Sequence, residues 1–177
     1  QRFRFNRVND APGIPGKPYR PTRNVVLRTA LPTLTWAAAT DKDLTDPASK
    51  LTYEIFLFPG DENTGVADLI YTTAPGKTEF TLPAGLADNL PWVWKVRALD
   101  DEGAASAWSP EQQVIVNVKE DPPSAPELTQ PTAGQNFNIL GPIQFIWQGS
   151  RDVDFQSTIQ YRLEYGEQNN FSGSTAI

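Results

Sequence analysis

The sequence contains neither histidine nor cysteine. Those two absences remove the commonest general base and the commonest transition-metal ligand. A Ser-His-Asp triad, a Cys-His dyad and an ordinary zinc site are therefore excluded. No disulfide can staple the fold or place the chain in an oxidising compartment, so the apolar core must hold it alone. Positive charge is also short: 15 Lys and Arg against 21 Asp and Glu leave a formal charge of −6. The basic residues are scattered, whereas phosphate binding needs them clustered, and this argues against nucleic acid as a partner. No run of about 18 apolar residues is present to span a membrane. The polar opening from Gln1 reads as carrying no signal peptide.

Proline is abundant, with 16 of 177 residues against a norm of about 5%. It fixes φ and cannot donate to a ladder, so it favours short strands and stiff turns over long helices. With 39% hydrophobic and 20% charged residues the chain has a globular balance.

An internal repeat sets the organisation. Residues 5–15 (FNRVNDAPGIP) recur at 116–126 (VNVKEDPPSAP), a constant offset of 111. The same offset carries Trp36 onto Trp147, Asp41 onto Asp152 and Asp43 onto Asp154, and an offset of 108 carries Tyr53 onto Tyr161. A period near 110 residues is one domain long and far beyond a solenoid unit. The Pro-rich stretches NDAPGIPGKPYRP and EDPPSAPELTQP read as semi-rigid junctions.

Within the complete unit the strands alternate. Leu34 and Trp36 face inward in PTLTW, as do Leu51, Tyr53, Ile55 and Leu57 in LTYEIFLF. TEFTL holds Phe80 and Leu82, and WVWKVRA sets Trp92, Trp94, Val96 and Ala98 against Lys95 and Arg97. QQVIVNV closes the unit, and PGDENTG, PAG and DDEG are turns. No dozen residues show a helical period, so the expectation is an all-β sandwich.

With Trp36, Tyr53, Leu86, the strand WVWKVRALDDEG and Ala107-Trp108-Ser109, the chain resembles the fibronectin type III family. The resemblance implies tandem immunoglobulin-like, fibronectin type III-like antiparallel β-sandwiches. Residues 1–10 then read as the last strand of a preceding repeat plus a linker. Residues 11–119 read as a complete domain, and 120–177 as a linker and the first half of a second. One departure stands out: the family's corner tyrosine falls on Trp92, so the corner must be built differently.

Two groups of side chains invite a site. Trp36, Trp92 and Trp94 could stack sugars but lie on inward faces, whereas Phe56 and Phe58 lie on the outward register of their strand and the register leaves Trp108 open. Asp10, Asp41, Asp43, Asp100 and Asp101 fall in loops that share a pole with the incoming linker. Oxygen ligands gathered from several loops suit Ca²⁺, and NDAP and ATDKD are similar to cadherin linker and loop segments. The other reading is turn chemistry, since Asp side chains bond nearby backbone N–H groups.

The function these features imply is non-catalytic, with no cofactor or, on the alternative reading, Ca²⁺. It is a spacer or adhesion segment of an extracellular or cell-surface modular protein, whose partners are neighbouring domains of the same or an identical chain. The alternative is a ligand-binding module for surface glycans, other proteins or calcium-dependent adhesion. The partial repeats at both ends fit either a piece of a longer array or a filament in which residues 1–9 complement the next copy.

Overall fold

The computed structural model describes residues 8–43, 47–61, 64–137 and 141–166, and the backbone of 175–176. Up to residue 7, the strand expected at the start lies outside the described residues. The chain divides into two compact units, the first ending at Lys119 and the second starting at Glu120.

The first unit is a two-sheet sandwich. Strands β1 (Gly16–Arg20), β3 (Thr33–Ala37) and β6 (Glu79–Thr81) form one sheet in the order β1-β3-β6. Strands β2 (Val25–Leu27), β4 (Thr52–Pro59), β5 (Leu69–Thr72), β7 (Leu90–Leu99) and β8 (Gln112–Val116) form the other, in the order β2-β8-β7-β4-β5. All pairings are antiparallel except β2 with β8. The β4–β7 ladder is the longest, from Thr52 opposite Leu99 to Pro59 opposite Trp92.

Alternation explains which side of each strand is wet. Tyr53, Ile55, Trp94, Val96 and Ala98 are fully buried, and Trp36 and Trp92 are nearly so. The three indoles thus meet their sequence expectation. A tryptophan buries about 150–250 Å², so each contributes on the order of 4–6 kcal/mol as an upper bound. Tyr19 closes the core edge-on to Trp94, with ring centroids 6.4 Å apart.

The Pro-rich junction expected at residues 9–21 requires a correction. Its second half, Gly16–Arg20, is strand β1 rather than linker. Proline is tolerated there because β1 is an edge strand, paired with β3 only at Gly16–Ala37 and Arg20–Thr35 with a register shift between. The second junction behaves alike, since Glu127–Gln130 forms strand β9.

The second unit repeats the first part of this plan. Strand β9 pairs antiparallel with β10 (Ile146–Gln148), and Glu127 faces Gln148 as Gly16 faces Ala37. Strand β11 (Glu164–Tyr165) pairs antiparallel with β12 (Thr175–Ala176), as β4 pairs with β5.

Candidate functional site

The acidic pole is built from three segments of the first unit. Asp41 and Asp43 follow β3, Asp100 and Asp101 follow β7, and Asn9-Asp10 leads into the unit. Asp41 Oδ1 accepts the backbone N–H of Asp43 at 2.8 Å, a turn that fixes the second carboxylate. Asp43 Oδ2 in turn accepts the N–H of Asp10 at 2.8 Å. Asp100 accepts from Ala104 N at 2.7 Å and from Asn9 Nδ2 at 3.0 Å. In the DDEG turn Gly103 takes φ +92°, where a side chain would be strained. Asp101 is exposed and pairs with Lys50 at 3.4 Å.

Of the five aspartates, then, Asp43 is tied to Asp10 and to Asp41, and Asp100 joins them through Asn9. Asp101 has its own exposed partner. The side chain of Asp10 is exposed; only its backbone takes part in the bond to Asp43. Asp43 and Asp100 are buried carboxylates whose named partners are hydrogen-bond donors. Among the described residues no group of three or more acidic side chains is arranged to hold a metal ion. Two buried carboxylate oxygens, Asp41 Oδ2 and Asp154 Oδ1, have no hydrogen-bond donor among the described residues.

The opposite end of the sandwich carries a second carboxylate that grips backbone. Asp88 accepts from Val118 N at 2.7 Å, Lys119 N at 3.1 Å and Asn89 N at 3.0 Å. The Val118 N–H foremost, with those of Lys119 and Asn89 and the Lys119 charge, holds its carboxyl below the ordinary aspartate value. A depressed carboxyl stabilises its bonded state above the unfolded value and loses that contribution as pH falls through the folded one. The Val118 and Lys119 amide shifts should therefore stay constant down to about pH 4 and move only below it. Movement centred at or above the ordinary aspartate value would show that Asp88 does not hold them.

The outward face of the five-stranded sheet has a feature the sequence reading left open. Phe56, Phe58 and Trp108 are all half-buried there, and Lys95 lies over all three rings at 5.4–5.7 Å. Arg97 stacks on Trp108 at 4.6 Å. Glu111 pairs with Lys95 at 3.0 Å and Glu54 with Arg97 at 2.5 Å. The cross-strand pairs Phe56–Lys95 and Glu54–Arg97 place these groups together. That pairing was the signal in the sequence, visible once the two strands are set in register.

The corner at Trp92 is built by its indole. Nε1–H donates to Ala87 O at 3.3 Å, a bond back to the chain five residues upstream. Such a bond is what a tyrosine hydroxyl makes at the corner of immunoglobulin-like sandwiches.

Solved structures give the chain its relatives in shape. The third fibronectin III domain of the human KIAA0343 protein matches at TM-score 0.48 and 23% identity, covering 70% of this chain and 97% of that one. The FN5 domain of Drosophila Lar matches at 0.43 and 18%, covering 60% and 98%. The FN1–FN3 domains of chicken CNTN1 match at 0.45 and 10%, covering 96% of this chain and 54% of that one. The resemblance is to fibronectin type III domains. No protein-family profile matches the sequence, and no curated protein does. In the first unit β1, β3 and β6 form the smaller sheet, and β2 extends the larger one by parallel pairing with β8.

Proposed function

We propose that the chain is a non-catalytic spacer, a stretch of consecutive sandwiches that holds other parts of an extracellular or cell-surface protein at a distance. One observation carries the reading: the two consecutive units repeat the same bonds, with the positions of Ala39 and Trp36 recurring 111 residues on and Tyr53 recurring 108 residues on. Tyr53 Oη accepts Ala39 N at 3.0 Å, and Tyr161 Oη accepts Ser150 N at 2.7 Å. Trp36 packs on Tyr53 with centroids 5.4 Å apart, and Trp147 on Tyr161 at 5.6 Å. A unit repeated for its architecture, with the same aspartates and tyrosines bonded to its own backbone, suits a mechanical part. Without histidine or cysteine it offers neither the commonest general base nor a thiol nucleophile.

The test is dimensional. Chains carrying one, two and four copies of the complete unit should grow in maximum dimension by a constant step in small-angle scattering. A dimension that saturates would end the spacer reading.

A second reading is favoured by the half-exposed rings of Phe56, Phe58 and Trp108, which suit the faces of a sugar. Retention on a glycan array that Trp108→Ala abolishes would turn the spacer into a binding module. Millimolar Ca²⁺ belongs in the same melts: a rise in Tm lost in Asp41→Asn with Asp43→Asn would make the acidic pole a cation site.

A further inference from the structure

The segment leading into each unit is held in the same way twice. Asp43 Oδ2 accepts Asp10 N at 2.8 Å, and Asp154 Oδ2 accepts Asp121 N at 2.8 Å. The first aspartate of each pair orients the second: Asp41 Oδ1 accepts Asp43 N at 2.8 Å, and Asp152 Oδ1 accepts Asp154 N at 2.9 Å. Three residues further along, Gly13 N donates to Thr40 O and Ser124 N to Arg151 O, both at 2.8 Å. In the second unit Ser124 Oγ also accepts Arg151 N at 2.8 Å.

We propose that the repeated Asp-x-Asp is a strap clamp, in which one aspartate orients its neighbour and that neighbour grips the backbone of the incoming chain. Turn chemistry alone would explain the first bond of each pair, which spans two residues. It does not explain the second, which reaches 33 residues back in both units. Asp43 and Asp154 are both more than nine-tenths buried, so the accepting side of each grip is sheltered from competing water.

The consequence falls on residues 121–124 of the second unit. Asp154 holds the N–H of Asp121, and Arg151 O holds that of Ser124. Pro122 and Pro123 have no N–H to offer. With its donors so assigned, this stretch is ordered against its own unit. The clamp draws its purpose from the spacer reading, but its bonds stand or fall independently of that reading.

Amide hydrogen exchange on the full chain in EDTA tests it. The Asp10 and Asp121 amides should exchange more slowly than in a free peptide. Asp154→Ala should speed Asp121 by about 10- to 100-fold, the ratio that a charge-assisted bond corresponds to. It should leave Asp10 unchanged, and Asp43→Ala should do the reverse. Asp41→Ala and Asp152→Ala should speed the same two amides through loss of orientation. Protected amides of β4 and β7 report that the first unit remains folded in its variants. The conservative Asp154→Asn, which keeps an acceptor oxygen, should retain part of the protection. Free-peptide exchange at Asp10 and Asp121 in the parent chain would overturn the clamp. So would protection that appears only when Ca²⁺ replaces EDTA, or a Tyr161→Phe variant that releases Asp121 as fully as Asp154→Ala does.

Discussion

Trp36→Ala is expected to destabilise the first unit by about 3–5 kcal/mol, the range for truncating a large buried aromatic. Trp36 is 4% exposed, packed on Tyr53 and enclosed by both sheets. Its removal leaves a hole that the short strand β3 cannot collapse to fill. The equivalent Trp147 is 36% exposed, so Trp147→Ala should cost the second unit much less. Urea unfolding followed separately through resonances of each unit gives both numbers, since a single curve would merge two transitions. Equal losses at the two positions would mean that burial is not what separates them.

The next largest effect is expected at Tyr53. Tyr53→Phe keeps the ring and removes only the oxygen that accepts Ala39 N. Ala39 is 1% exposed, so its N–H is left buried without an acceptor, at a cost of about 1–3 kcal/mol. Burial also pushes the phenol of Tyr53 above its ordinary pKa, the Ala39 N–H opposing in part, so its hydroxyl stays neutral in ordinary buffers. Tyr161→Phe removes the same bond from Ser150 at an exposed site, where water replaces the acceptor. Its cost should lie within about 0.5 kcal/mol. A loss at Tyr53 as small as that at Tyr161 would show that the Ala39 bond is not sheltered.

Much of this architecture is legible in the sequence because alternation is a strong code. The inward rows of LTYEIFLF and WVWKVRA follow from period two, and the structure buries Tyr53, Ile55, Trp94 and Val96 accordingly. What the sequence hides is short or interrupted. Val25–Leu27 has three residues and pairs in parallel with β8, and so carries no alternation worth reading. Strand β1 contains Pro18, which reads as linker until the edge position is known. Strand β5 (LIYT) is four residues long, with a single outward row. At the acidic pole the residue types were legible and the partners were not. Composition cannot tell a carboxylate that gathers cations from one that accepts Asp10 N, because that depends on a chain segment 33 residues away. The grouping of Lys95, Arg97, Phe56 and Trp108 was hidden for a similar reason, since cross-strand neighbours need the register first.

Strand β1 has a further consequence, for solubility. Consecutive like units are present to one another at high local concentration, and unpaired strand edges are the natural route to mispairing. The β1 edge cannot serve as a template. Pro18 withholds its donor, the register breaks between Gly16 and Arg20, and Lys17 and Arg20 are exposed beside it. A second strand arriving there would find an interrupted row of hydrogen-bonding groups and two positive charges. The β5 edge has no proline, and Ile70 stands 63% exposed on it. Of these two edges β5 is the more open to a second strand, and a charge placed at position 70 is the economical way to close it.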